Sequence, residues 1–208
     1  HIKELGIDRK FEWISNGIYI DDFNNSKKLP MSINSQLNKN QFIIGYIGSF
    51  GKSNAINYYL DAINRIDKKY DILFLFLGDG NLKNRISAFA KEDNRIIIID
   101  RVDKGTAFEV MKKCNLLFKG NPASKLYEFG ISPFKLFEYM LSGNPILHST
   151  NVGNNIVQIA NCGISVEAET PNAIAAGIMK GYNLSVKERD KLGDNGKKYV
   201  LEHFTYEK

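Results

Sequence analysis

Six short apolar runs recur along the chain, and more polar segments separate them. The runs are continuously apolar, a pattern typical of strands that are buried on both faces of a parallel sheet. We therefore predict buried strands at residues 42–47, 72–77, 96–99, 116–118, 145–147 and 163–166.

The segments between these runs carry apolar residues at helical spacing. In the first of them, Ala55, Tyr58, Tyr59 and Ala62 fall on one helical face. The same spacing predicts helices at residues 54–66, 81–91, 105–113, 133–142, 153–160, 171–181 and 185–203. Regular alternation of strand and helix predicts the α/β class, with an open, doubly wound parallel sheet and helices on both faces.

Turn and cap residues delimit two segments. Ser132 before Pro133 predicts an N-cap followed by proline at the first helical position, and Gly143 predicts the end of the same helix. Residues 24–40 are rich in Asn, Ser and Lys, so we predict an exposed loop that leads into the first strand.

Composition narrows the class of protein. The 208 residues suit one domain of good size, with 43% hydrophobic and 25% charged residues. The net charge of +5 is spread along the chain, whereas a nucleic-acid-binding protein usually shows a basic stripe, so we expect no nucleic-acid partner. No apolar run approaches the roughly 18–20 residues of a membrane span, and the N-terminus lacks a signal-peptide pattern. Because the chain starts at His1, we expect a fragment of a longer protein.

The cysteines and histidines do not suggest a metal centre. Cys114 and Cys162 are far apart in sequence, and neither has a CxxC partner or a cluster of histidines nearby. We expect two reduced, partly buried thiols in a cytosolic protein, and no metal site.

The turn after the first strand is the first candidate for ligand chemistry, because open α/β sheets bind ligands at the carboxyl ends of their strands. Gly48, Ser49, Gly51 and Lys52 lead there into a predicted helix, whose N-terminus would suit a phosphate. The stretch is not a P-loop, since Gly45 precedes Gly51 by six positions rather than five. A tight turn that binds nothing remains the alternative.

Two further turns follow the second and third strands. A tight turn alone explains Gly78-Asp79-Gly80. The backbone of Asp100-Arg101-Val102-Asp103 could contact the edge of a base, or the segment could be only a polar turn.

Residues 130–145 carry the strongest signal. A glycine turn at Gly130 leads into the helix that Ser132 would cap, and Lys135 and Glu138 share one helical face. A cation in the first turn of a helix opposes the helix dipole, and an anionic ligand at that end would make it favourable. The carboxylate of Glu138 suits a diol. An ion pair on a solvated helix is the alternative.

Several short strings, loose individually but specific in their order and spacing, extend over essentially the whole chain: Trp13-Ile14-Ser15-Asn16-Gly17-Ile18, Gly45-Tyr46-Ile47-Gly48-Ser49, Leu77-Gly78-Asp79-Gly80, Gly130-Ile131-Ser132-Pro133, Glu138-Tyr139-Met140 and Gly143-Asn144-Pro145-Ile146. The chain thereby resembles the C-terminal, donor-binding half of family 4 (group 1) glycosyltransferases of the GT-B fold. It is similar to bacterial transferases of capsule and O-antigen assembly, including fucosamine-transferase-like enzymes.

The resemblance implies a Rossmann-like, nucleotide-sugar-binding domain at residues 41–208. Residues 1–23 would form the interdomain connection, which ends near Asn16-Gly17, and the first element. Residues 24–40 would form the exposed loop. The acceptor-binding N-terminal domain would lie outside this chain.

The resemblance also implies roles for single residues at the diphosphate. Gly48, Ser49 and Lys52 match the glycine loop at the donor diphosphate. Ser132 and Lys135 match the helix start that faces the diphosphate and the sugar.

A second set of residues matches the nucleoside contacts. Arg101 and Val102 match the turn whose main chain contacts the base, and Glu138 matches the second Glu of the E-x7-E motif, which holds the ribose hydroxyls. Gly130, a donor-site candidate at the turn, replaces the first Glu of that motif. The arginine frequent in the family's first glycine loop is also missing, since Ser49 occupies that region.

The function implied is that of a retaining, Leloir-type glycosyltransferase. It would move a sugar from a nucleoside diphosphate, with UDP expected, to a glycan or lipid-linked acceptor in surface polysaccharide synthesis. The base is expected in the N-terminal domain, so this chain alone would bind the donor without turning it over. No cofactor or metal is expected, because no Asp-x-Asp motif occurs and Lys52 and Lys135 could neutralise the leaving group.

The sequence also leads to expectations about the cellular location of the protein and about alternative functions. The resemblance implies a cytoplasmic protein, with the inner face of the membrane left open for the full-length enzyme. A GT-B-like UDP-sugar epimerase and a non-catalytic nucleotide-binding α/β domain remain alternative functions.

Overall fold

Six parallel strands form one sheet in the computed structural model, which describes Gly6 and residues 14–24, 28–37 and 40–206. The strands are β1 (Phe42–Ile47), β2 (Ile72–Leu77), β3 (Ile96–Ile99), β4 (Leu116–Gly120), β5 (Ile146–Ser149) and β6 (Gly163–Val166). All six coincide with the predicted apolar runs to within two residues at each end, and the predicted α/β class is confirmed.

Helices connect and flank these strands. They are α1 (Asp21–Asn24), α2 (Met31–Leu37), α3 (Ile56–Ile63), α4 (Lys83–Glu92), α5 (Lys104–Lys112), α6 (Phe134–Leu141), α7 (Ile156–Ile159), α8 (Pro171–Asn183) and α9 (Val186–His203). Short 3-10 helices lie at Lys52–Asn54 and Lys125–Phe129. Each predicted helix is therefore present, with its ends moved by a few residues.

The strand order is β3-β2-β1-β4-β5-β6, so the order reverses between β1 and β4. β1 pairs with β2 along its whole length, but only Ile44 and Gly45 of β1 pair with β4. The two central strands thus separate toward their carboxyl ends. In doubly wound sheets this reversal is where a ligand crevice opens.

Apolar side chains cover both faces of the sheet, as the continuous runs predicted. In β1, Ile43 and Ile47 join the core on one face, while Ile44 and Tyr46 join the core on the other. This alternation follows from the two-residue period of a strand. Because both faces pack against helices, neither residue set reaches solvent.

The prediction of an exposed loop at residues 24–40 is wrong for its second half. α2 occupies Met31–Leu37 and buries Ile33 and Leu37, which lie four positions apart on one helical face. The polar composition of the segment concealed this short apolar face. Trp13 and most of the predicted connection before residue 14 lie outside the described residues.

The prediction that Ser132 caps the following helix is also wrong. Pro133 occupies the N-cap position of α6 in an extended conformation, and no side chain caps the helix. Instead, the Ser132 hydroxyl accepts a hydrogen bond from the backbone N–H of Asn16 at 2.8 Å, and the Ser132 carbonyl accepts one from Asn16 Nδ2 at 2.6 Å. A distant segment therefore competes successfully for the hydroxyl. Gly143 does follow the end of α6, with a φ of 78°.

Candidate functional site

A cleft of about 390 Å³ opens at the carboxyl ends of β1, β2 and β3. The turn after each strand contributes a pair of residues to one side of it: Gly48 and Ser49, Gly78 and Asp79, and Arg101 and Val102. Phe23, Lys104 of α5 and Glu138 of α6 also line it. The cleft therefore lies beside the reversal of strand order.

Glycines bring the first two turns close together. Gly48 and Gly78 have φ angles of 142° and 146°, a region that side chains rarely allow. A Cβ atom at Gly78 would collide with the carbonyl oxygen of Gly48. The Gly78-Asp79-Gly80 turn is therefore needed for packing against the first turn, and Asp79 reaches the cleft as a result.

Tyr139 fixes α6 to the end of β1. Its buried hydroxyl accepts from the N–H of Ile47 at 2.8 Å and donates to the Ile47 carbonyl at 2.9 Å. These backbone groups need a side-chain partner because β1 has separated from β4 at this point. Since Lys135 lies one turn before Tyr139, and Glu138 directly before it, this contact positions both candidate residues.

Lys135 lies against the glycine turn after β1. Its ammonium donates to the Tyr46 hydroxyl at 2.9 Å and lies 3.4 Å from Asn54 Oδ1. A Cβ atom at Gly48 would be 2.5 Å from Lys135 Nζ, so the glycine leaves room for the ammonium. Burial lowers the pKa of Lys135 to about 8, although Glu138 opposes this change.

A second lysine is buried nearby, at the end of β4. Lys119 is 4% exposed, and its ammonium donates to the Gly120 carbonyl at 2.5 Å and to Asn121 Oδ1 at 3.2 Å. Burial, with a further contribution from Lys135, lowers the pKa of Lys119 to about 7. Next to it, burial lowers the pKa of His148 to about 3, so that this imidazole is neutral.

Glu138 projects from α6 into the cleft with its side chain 25% exposed. Burial raises the pKa of its carboxyl group, while Lys104 is the strongest influence in the opposite direction. Lys104 Nζ lies 3.7 Å from Glu138 Oε1 and 2.8 Å from Asp22 Oδ2. The cleft thus contains the Glu138 carboxylate beside the Lys104 ammonium, which also binds Asp22.

Five of the nine residues proposed from the sequence line this cleft: Gly48, Ser49, Arg101, Val102 and Glu138. Lys135 reaches its edge through the contact with Gly48. The structure thus brings together residues from the three strand ends and from α6, which the sequence connected through the carboxyl ends of parallel strands and through the family resemblance.

The other three proposed residues lie elsewhere. Lys52 is exposed in a 3-10 helix, and α3 begins only at Ile56, so no α-helix N-terminus follows the glycine turn directly. Gly130 and Ser132 line a separate cavity of about 390 Å³ with Asn154.

Phe23, Lys104 and Lys119 were not predicted from the sequence, and Asp79 was explained only as part of a turn. Lys119 did carry a signal, because a charged residue directly after Leu116-Leu117-Phe118 is unusual on a buried strand. Phe23 and Lys104 carried none, since they meet only through the tertiary fold, where the ammonium lies 4.4 Å from the ring centroid.

The described residues contain neither a cluster of metal ligands nor a membrane-spanning helix. In that part of the chain, no group of three or more His, Cys, Asp or Glu residues could hold a metal ion. None of its helices combines the length and the apolar character that crossing a membrane requires. Cys114 and Cys162 are both buried and unpaired.

Solved structures with a similar fold include the following three. HepE from Anabaena, solved with UDP and glucose, has a TM-score of 0.70 and 15% identity, over 91% of this chain and 52% of its own. Sucrose-phosphate synthase from Thermosynechococcus elongatus has a TM-score of 0.72 and 19% identity, over 92% and 48%. The C-terminal domain of LpcC, a group 1 glycosyl transferase from Francisella tularensis, has a TM-score of 0.70 and 16% identity, over 91% and 100%.

The chain therefore spans about half the length of the first two proteins and the whole of the third, a single domain. At these identities the similarity shows the fold, one Rossmann-like half of a GT-B enzyme. No curated protein is significantly similar to the chain. The family model for group 1 glycosyl transferases matches residues 41–183, which is more than half of the sequence. The chain belongs to the group 1 glycosyltransferase family.

Proposed function

We propose that the cleft binds a nucleoside diphosphate sugar, with UDP as the expected nucleotide, and that the chain is the donor-binding part of a retaining glycosyltransferase. The position of Lys135 and Glu138 carries this proposal. One helix places a cation against the Gly48 turn and, three residues later, a carboxylate in the cleft. A diphosphate needs positive charge and N–H donors, and a ribose diol needs an acceptor.

Each part of the donor then has a partner. The turn at Arg101 and Val102 would contact the base, Glu138 the ribose hydroxyls, and the Gly48-Ser49 turn with Lys135 the diphosphate. Lys135 would supply the positive charge here, since the first glycine loop lacks the arginine that is frequent in the family and has Ser49 in that region. The UDP bound in HepE supports the choice of nucleotide.

The chemistry asked of this chain is stabilisation of the leaving group. The bond between the anomeric carbon and the β-phosphate oxygen breaks, and its electron pair stays on the diphosphate. Lys135 would stabilise that charge without reorganisation, because Tyr46 and Asn54 already hold its ammonium. The acceptor hydroxyl oxygen forms the new bond to the anomeric carbon, and its proton goes to a base outside this chain. Because Lys135 supplies the charge, we expect no metal requirement.

The acceptor is the broadest part of the proposal. The resemblance of residues 130–145 to capsule and O-antigen transferases supports a glycan or lipid-linked acceptor in surface polysaccharide synthesis, and a cytoplasmic site of action. A longer protein with the acceptor domain would carry out the transfer, and this chain alone would only bind the donor.

A thermal-shift screen of nucleotide sugars tests this function, because a ligand that binds only the folded state raises the Tm. We expect UDP and at least one UDP-sugar to raise the Tm of this chain. No shift with any nucleotide would contradict the proposal. If the longer protein interconverted two free UDP-sugars without an acceptor, the epimerase alternative would be correct instead.

A further inference from the structure

Lys104 has an unusual position for a cation. It is the first residue of α5, directly after the N-cap Asp103, where the helix dipole disfavours positive charge. Its ammonium lies 2.8 Å from Asp22 Oδ2, 3.7 Å from Glu138 Oε1 and 4.4 Å from the ring centroid of Phe23. Residues from α1 and α6 therefore compensate for a position that α5 itself disfavours.

Lys104 and Glu138 also line a second cleft of about 300 Å³, to which Asp22 contributes. The pair therefore separates the proposed donor site from this neighbouring cleft. Asp22 binds the same ammonium at 2.8 Å, so it competes with Glu138 for its positive charge.

We propose that Lys104 is a positioning residue for donor binding, which holds the Glu138 carboxylate ionised and oriented toward the ribose hydroxyls. Asp22 and Phe23 hold Lys104 in place. The inference rests on the proposed function, because the ribose at Glu138 is part of it. An ionised carboxylate accepts hydrogen bonds at both oxygens, whereas a protonated one is a weaker acceptor.

The charges around Glu138 make the proposal specific. Lys104 and Lys135 lower the pKa of the Glu138 carboxyl, Asp22 raises it, and burial raises it most. Asp79 and Arg101 line the same cleft from the strand turns. Removal of Lys104 should therefore raise the pKa of Glu138, and removal of the Asp22 charge should lower it.

The experiment measures the affinity of this chain for UDP-glucose between pH 4.5 and pH 8. UDP-glucose is the probe because its phosphates do not titrate in this range. Affinity should fall as the pH drops through the pKa of Glu138. In Lys104→Met we expect the midpoint to move up by about 0.5–1 pH unit, a roughly 3- to 10-fold loss of affinity at the acid end. Lys104→Arg should restore the profile.

Two further variants test a shift of the midpoint in the opposite direction and provide a control. Asp22→Asn should move the midpoint downward. Lys112→Met is the matched control, because Lys112 lies on the same helix, pairs with Glu109 at 2.5 Å and lies 5.4 Å from the Phe108 ring centroid, away from the cleft. Its profile should coincide with that of the wild type.

The outcomes separate this inference from the proposed function. If the wild type does not bind UDP-glucose or UDP, the proposed function fails. If it binds and Lys104→Met has the wild-type midpoint, or loses affinity equally at every pH, the positioning role is wrong. If Glu138→Gln keeps the acid-dependent loss, another group titrates and the inference is also overturned.

Discussion

The molecule buries positive charge at both ends of its sheet, with different partners. At the amino end, Arg95 is 7% exposed and forms an ion pair with Asp93, which is 4% exposed. Arg95 Nη2 donates to Asp93 Oδ2 at 2.8 Å and Nε donates to Oδ1 at 3.1 Å, while backbone carbonyls of residues 66 and 67 accept the remaining bonds. At the carboxyl end, Lys119 and Lys135 form no ion pair with a carboxylate of the described residues.

The partners of each buried cation indicate whether it serves the fold or a ligand. A buried cation that has its own carboxylate is neutralised within the fold, and neither partner needs a ligand. A buried ammonium that contacts only neutral oxygens loses hydration without gaining a counter-charge, so its pKa falls. Binding of an anion would relieve that cost. The carboxyl end is therefore the end at which we expect the diphosphate.

The largest effect should follow from breaking the buried ion pair between Arg95 and Asp93. Arg95→Met leaves the Asp93 carboxylate buried without its partner, so the free energy of unfolding should fall by about 3–5 kcal/mol. Urea denaturation measures this loss. Lys69→Met is the control, since Lys69 forms an exposed pair with Asp67 at 3.1 Å whose loss should change the free energy of unfolding far less. A similar loss in both variants would contradict the contrast.

A smaller effect should appear in the pH dependence of stability. The pKa of Lys119 is about 7 in the folded chain and near 10.4 when unfolded, so the unfolded chain binds more protons between these values. Stability should therefore rise between pH 7 and pH 8.5, by about 1 kcal/mol or more. Lys119→Met should flatten this rise.

At higher pH the two buried thiols lower the stability of the folded chain, whereas the buried lysine raises it. Comparison of the wild type with Lys119→Met controls for the thiols. Burial raises the pKa of Cys162 to about 12 and raises that of Cys114 further, so unfolded thiols ionise first. That contribution is the same in both proteins. An equal slope in wild type and variant would show that Lys119 is not the origin of the rise.

The smallest effect should be proton uptake on binding. At pH 8, close to the pKa of Lys135, about half of its ammonium groups have lost their proton, and a bound diphosphate restores it. Calorimetry of UDP binding in two buffers with different ionisation enthalpies should show uptake of roughly half a proton or more. Affinity should fall from pH 7 to pH 9. Release of protons would contradict the proposed charge environment.

The fold could be predicted from sequence because burial on both faces leaves a simple pattern. Residues 72–77 are apolar without exception, and every one of them is buried. The helix at Met31–Leu37 could not be predicted, since only Ile33 and Leu37 mark its buried face within a polar segment. Helix ends were also harder, because Asn16 binds the hydroxyl of Ser132 from a distant part of the chain.

The geometry of the candidate site could be predicted where it depends on strand ends and on one helix. Gly48 and Arg101 meet because parallel strands end at the same edge of the sheet, and α6 brings Glu138 to that edge. Lys52 was assigned to the site on the assumption that a helix starts at its turn, whereas a 3-10 helix intervenes and leaves the side chain exposed. Lys104 and Lys119 depend on tertiary contacts and on burial, which local sequence patterns do not contain.

Calorimetric titration with UDP tests the central claim most directly. Wild-type chain should bind UDP, and Lys135→Ala and Glu138→Ala should each weaken binding by about 1.5–3 kcal/mol, the size of a lost charge-assisted hydrogen bond. Lys52→Ala, at an exposed position outside the cleft, should bind like the wild type. If Lys135→Ala and Glu138→Ala both bind UDP as the wild type does, the donor site does not lie in this cleft.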